Sequence, residues 1–149
     1  MGFLRALGSG LVGAVALNLL HETARQFIPV APRIDVLGKR AIALAYRATG
    51  HEPPPDDELY ALALAGDVAS NSLYYSFVGA GDPRNVLLRG ALLGLGAGIG
   101  AVVLPGEMGL GSEPSARTPA TQAMTIAWYT VGGLAAAAAY RMLADEAED

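Results

Sequence analysis

Asp67, Ser70, Asn71 and Tyr74 recur at i, i+3, i+4 and i+7 within ELYALALAGDVASNSLYYSFVGAG, residues 58–81. In a helix that spacing puts all four on one face. The remainder of the stretch is mostly Leu, Ala, Val and Phe, long and apolar enough to cross a bilayer. An ionisable side chain inside such a span is costly, and it marks a functional site by default. Two further polar stripes accompany it. Asn18, His21, Glu22 and Arg25 repeat the same spacing, and Thr118, Gln122, Thr125 and Tyr129 follow at i, i+4, i+7 and i+11.

These residue types limit the chemistry. His21, Glu22 and Asp67 would make a titrating chain for proton movement, or an acid and a base acting on a substrate. Metal binding is disfavoured. His21-Glu22 begins like HExxH, but Arg25 stands where the second histidine belongs, and a cation there opposes a bound cation. Gly8-Ser9-Gly10-Leu11-Val12-Gly13 matches the dinucleotide pattern GxGxxG. No strand precedes it, so small residues for close helix packing are the better account. No metal and no cofactor are expected.

The elements that must position these stripes are helices. The pattern predicts an all-α fold: an integral membrane bundle of four spanning helices at 3–28, 58–79, 83–104 and 119–142. A short amphipathic helix at 34–48 lies between the first two spans. Pro29 and Pro32 end the first. In the short helix Ile34, Leu37, Ala41, Leu44 and Ala48 form an apolar stripe opposite Asp35, Lys39 and Arg47. It is too short and too charged to span, and is expected in the headgroup plane; packing over the bundle end is the alternative. The prolines of Gly50–Pro55 make a stiff linker. Asp82-Pro83 and Thr118-Pro119 read as caps followed by proline at the first helical position. The 58–79 and 83–104 helices are expected as a tight antiparallel hairpin, with Pro105-Gly106 ending the second of them and a loop over 105–118. Gly90, Gly94 and Gly98 recur every fourth residue. Such a groove serves either packing within the chain or a subunit interface, a homo-oligomer or larger membrane complex through this third span.

Composition agrees. The chain is 52% hydrophobic and 16% charged, with mean hydropathy +0.36, against about 25% charge in a soluble domain. One domain is expected, 1–149, with an acidic tail at 143–149. There is no Cys, which removes disulfides and thiolate metal sites. No dense basic patch with interleaved aromatics points to nucleic acid. Ala14-Val15-Ala16 imitates a signal-peptide cleavage site, but the apolar run continues through Leu20, so a retained helix is expected.

With four spans, the polar stripes start from one side of the membrane. At about 1.5 Å rise per residue, Asp67 lies about 13 Å deep, His21 and Glu22 about 10 Å, Asn18 about 15 Å, Thr125 about 9 Å and Tyr129 about 15 Å. Overlapping depths predict that the stripes turn inward and pair, with Asp67 meeting the first span through Asn18, His21 or Arg25. Basic residues favour the side of the short helix, with Arg25, Arg33, Lys39, Arg40, Arg47 and Arg117 set against Arg5, Arg84, Arg89 and Arg141. That side is expected to be cytoplasmic in a multi-pass protein of the cell membrane, the inner membrane if the source is bacterial. Three functions fit. A structural or accessory subunit, whose seam sets helix register, leads. An oligomeric carrier or channel for protons or a small polar solute follows, then a membrane-embedded enzyme on a lipid-like substrate.

Overall fold

Pro, Gly and capping side chains cut the chain close to the expected boundaries. The computed structural model describes residues 2–145. Among them are α1 (Gly2–Phe27), α2 (Ile34–Ala48), α3 (Asp56–Ser76), α4 (Val86–Glu107), α5 (Glu113–Ala116) and α6 (Pro119–Asp145). No strand occurs among the described residues. The Asp82 side chain accepts from the Arg84 backbone N–H at 2.9 Å, and Thr118 Oγ1 accepts from the Thr121 N–H at 3.0 Å, so both caps form as expected.

Four details differ from expectation. α4 runs through Pro105 to Glu107; proline so near the end forfeits one hydrogen bond, and the last turn continues. The 105–118 connection contains α5. α6 extends to Asp145, into the expected acidic tail, whose last residues 146–149 lie outside the described ones. Finally, α3 and α4 share a tight turn but then splay, barely touching along their length. Gly81 makes that turn at φ +93°. Arg89 holds it, donating to Val78 O at 2.6 Å and to Asp82 O at 3.0 Å.

The bundle is assembled around α1 and α6 instead: α1 packs on α3 and α6, and α4 packs on α6. The core is Leu17, Tyr75, Val78, Val86, Tyr129, Ala136 and Ala137. Glycine decides how closely the helices approach. A Cβ on Gly94 would lie 2.5 Å from Thr130 Cα, and one on Gly98 would lie 2.6 Å from Ile126 Cα. A Cβ on Gly90 would stand 2.5 Å from Gly133 O. The glycine groove is therefore occupied within the chain by α6. In α1, Gly10 abuts the Ser72 backbone, and a Cβ on Gly13 would stand 2.6 Å from Gly132 O. Those two belong to the GxGxxG-like run, and helix packing is what they do.

α2 lies over α3, with Leu37 and Ala43 buried and Gly38 facing Ala63. Leu44 of the expected stripe is 51% exposed. The segment before α2 is pinned from α5 and α6: Arg117 donates to Pro29 O at 2.7 Å, Thr121 to Val30 O at 2.8 Å, and Pro114 O receives the Arg33 N–H at 2.7 Å.

Two helices, α1 and the 83–107 segment containing α4, are long and apolar enough to cross a membrane among the described residues. α3 and α6 fall below that standard, because Asp67, Ser70 and Asn71 dilute α3, and Thr, Gln and Gly dilute α6. The most apolar windows of the two passing helices are only 28% and 22% buried, so neither is the enclosed central helix of a soluble core. Gly94→Val should destabilise the bundle by about 3 kcal/mol through overpacking. Gly100→Ala, with only Leu104 Cδ1 at 3.5 Å near its new Cβ, should gain about 0.5 kcal/mol. Unfolding midpoints in mild detergent read both.

Candidate functional site

The site is built on the line where α3 meets α1. Asp67 occupies the α1-facing side of α3, and Asn71 sits one turn further on. Asn71 Nδ2 donates to Asp67 Oδ1 at 3.0 Å. Asn18 of α1 donates through Nδ2 to Asp67 Oδ2 at 2.9 Å and to Ala14 O of its own helix at 3.0 Å. Each carboxylate oxygen thus takes one amide hydrogen, and Asn18 supplies the expected link to the first helix. No cation forms an ion pair with Asp67 among the described residues. Arg25 is instead turned onto Glu22, donating through Nε at 2.9 Å and Nη2 at 2.6 Å, with its guanidinium 5.8 Å from the Tyr60 ring centre.

His21 lies one turn from Asn18 and is buried. Its ring sits edge-on to Trp128 at 5.4 Å and Tyr129 at 5.7 Å. Neither ring nitrogen has a hydrogen-bond partner. Most buried polar groups are paired, so an orphaned one needs an explanation. Asn18, His21, Glu22, Asp35, Tyr60 and Asp67 together line a small cavity of about 20 Å³ between α1, α2 and α3, room for about one water.

The third stripe reaches the site only through Tyr129. Thr125 is fully buried but spent on backbone carbonyls, Ser115 O at 2.8 Å and Thr121 O at 2.9 Å. Gln122 is exposed and donates to Ala116 O at 3.1 Å. On α3, Ser70 is exposed and bonds the Asp67 carbonyl at 3.2 Å, while Tyr74 reaches across to Leu93 O of α4 at 3.0 Å. Gly90, Gly94 and Gly98 lie on the far face of α4, against α6.

Two participants were misread or missed in the sequence. Asp35 was placed on the solvent side of α2, yet its side chain is 7% exposed. Arg33 grips it through Nε at 2.9 Å and Nη2 at 2.7 Å, and Arg25 stands 3.9 Å away. Burial on its own would raise the Asp35 carboxyl. The Arg33 hydrogen bonds, the charges of Arg33 and Arg25, and the Val36 N–H together hold it below the ordinary carboxylate value. Tyr75 was overlooked beside Tyr74. It is fully buried, and its hydroxyl donates to Tyr129 O at 2.7 Å, joining α3 to α6. Its position four residues after Asn71 was the available signal.

No family model, no curated protein and no solved structure matches this chain.

Asp67→Leu should cost about 3 kcal/mol, because it strands the amide hydrogens of Asn18 and Asn71. Asp67→Asn keeps one acceptor oxygen and should cost about 1 kcal/mol. Chemical denaturation in detergent would separate the two, and equal values would show that the carboxylate does not join α1 to α3.

Asp35 sets an acid limit. Its folded value is lowered, so its contribution is complete above the unfolded value of about 3.9. That contribution is lost as pH falls through the folded value. Melting temperature should therefore decline below about pH 4, and Asp35→Asn should flatten that decline.

Proposed function

We propose that the chain is a multi-pass integral membrane protein with α1, α3, α4 and α6 as four spans and α2 on the cytoplasmic surface of the cell membrane. Its role on this reading is that of a structural or accessory subunit. One observation supports the membrane reading: all four long helices turn large apolar side chains outward, while Asn18, Asp67, Asn71, Tyr75 and Thr125 turn inward and are hydrogen-bonded. Leu19 of α1, Leu73 of α3, Leu92 of α4 and Val131 of α6 are 63%, 60%, 58% and 45% exposed. In water such a girdle would be an aggregation liability, whereas against lipid it has no cost. The four helices are about 39, 32, 33 and 40 Å long at 1.5 Å per residue, enough for a hydrocarbon core of about 30 Å.

The accessory role is supported by how the seam spends its hydrogen bonds. Tyr74, Tyr75 and Thr125 each bond a backbone carbonyl of another element, and Asn18 joins Asp67. Such bonds set helix register and depth. With the Gly90, Gly94 and Gly98 face filled by α6, any homo-oligomer or larger complex would use the outer Leu88, Leu92 and Ile99 face of α4.

One observation favours the carrier of protons or of a small polar solute as a second reading. Asp67 without a cation and His21 without a partner share a single cavity.

The chain has no Cys, so single-cysteine variants report topology directly. Cysteines replacing His51 and Glu113 should resist a membrane-impermeant maleimide in intact cells until permeabilisation, and one replacing Ala80 should react at once. Equal reactivity of all three would refute the four-span topology. Proton flux into liposomes that disappears in Asp67→Asn would displace the accessory role in favour of the carrier.

A further inference from the structure

His21 is 5% exposed, and neither Nδ1 nor Nε2 has a hydrogen-bond partner. In a neutral imidazole one ring nitrogen donates and the other accepts, so two bonds are missing at one buried ring. Trp128 and Tyr129 pack edge-on against it and cover it without bonding it. Buried polar groups in folded proteins are paired with protein or with ordered water. The His21 ring borders the cavity of about 20 Å³ between α1, α2 and α3, and Asp67 borders it too.

Size and lining decide the occupant. One water needs about 10–15 Å³ of such space and two to four polar partners, so the cavity takes a single water and is too small for a solute of several atoms. Asp67 has accepted one amide hydrogen on each oxygen, and an ionised carboxylate has about four acceptor sites in all. A metal ion fits less well. No three His, Asp or Glu side chains converge as a metal site among the described residues. The other two carboxylates of the lining are already balanced, Glu22 by Arg25 and Asp35 by Arg33. That leaves His21 as the base available to exchange a proton with Asp67. Tyr60 of α3 and Tyr129 of α6 complete the titratable groups around the ring and the cavity.

We infer that the cavity holds one water, hydrogen-bonded to His21 and Asp67, and that this water passes a proton between them. In the forward step the acid form of Asp67 gives its proton to the water oxygen, while the water gives one of its own to the free His21 nitrogen. The products are a carboxylate, an imidazolium and the same water, and the reverse step restores the starting pair. Any net flux rests on the second reading above, and through this cavity its passenger is a proton and not a solute. The bound water and the local exchange across the α1–α3 contact do not depend on flux.

The test uses the full chain in phosphatidylcholine bilayers, with ring-15N histidine and carboxyl-13C aspartate, read by solid-state NMR. The sequence has two histidines. His51 is exposed, and His51→Gln leaves the His21 signals alone. Magnetisation transferred from water should reach a His21 ring nitrogen. On titration the His21 ring and the Asp67 carboxyl should change at shared midpoints, as two groups exchanging one proton must. Asp67→Asn keeps a polar partner for the water, so the water contact should persist. The His21 midpoint should then move by at least one pH unit, a tenfold change in its proton affinity, and exposed Ser70→Ala should move it by none. A His21 ring with no water contact overturns the assignment, and so does an Asp67→Asn midpoint equal to that of the wild type. If Asp67→Asn folds poorly, the wild-type pair still decides: separate, unshared midpoints refute the exchange. Proton flux into liposomes keeps this apart from the carrier reading. Shared midpoints without flux refute the carrier and leave the relay standing. Flux without a water contact at His21 supports the carrier and refutes the relay.

Discussion

Close approach of helix backbones at glycine is the constraint on which the rest of this structure depends. On the proposed membrane reading, apolar side chains gain nothing by leaving lipid for one another, and the helices are held by van der Waals contact and interhelical hydrogen bonds. Both require near contact. Gly90, Gly94 and Gly98 let α4 settle on α6, and Gly10 and Gly13 let α1 settle on α3 and α6. Only at that separation can Tyr75 reach the Tyr129 carbonyl from α3, or Asn18 reach Asp67 from α1. The polar seam is a consequence of the glycine contacts as much as a cause of the fold.

The same contacts leave one pair of helices apart. α6 takes the glycine face of α4, and α1 takes the inner face of α3, so these two chain neighbours are drawn to different partners. Their separation leaves an open groove, and Asp67 stands on the wall of both that groove and the inner cavity. A single carboxylate thus ties α1 to α3. Arg25, the cation that could have neutralised it, is held by Glu22 and drawn toward Asp35. That arrangement separates the ion-paired cluster at the α1–α2 corner from the amide-bonded carboxylate deeper in the bundle.

Local signals were enough for the helices, their caps and the inward turn of Asn18, His21, Asp67 and Asn71, though not of Ser70 or Tyr74. Proline and glycine mark the breaks, and a spacing of three and four residues places Asn18 and Asp67 on definite faces before any partner is known. The glycine spacing in α4 announced a close neighbour for the same reason. These features depend on residues within a turn or two of one another, and a sequence displays such relations directly.

Pairing between distant segments was not legible in that way. Both α6 and a second subunit satisfy a Gly-xxx-Gly face, and only packing in three dimensions chose α6. Helices joined by a tight turn suggested a hairpin, but competition for α6 and α1 pulled α3 and α4 apart. Asp35 looked solvated because the charges of α2 alternate with its apolar residues. Its burial depends on Arg33 folding back from the preceding turn and Arg25 arriving from α1, and no local pattern encodes that meeting. The unpartnered His21 was hidden for the same reason, since whether a polar group finds a partner is a property of the assembled bundle. The sequence by itself determined which faces are polar, small or apolar, because helical periodicity is local. The tertiary structure alone decided which of those faces meet and which are left open, because that depends on all the helices competing for contact at once.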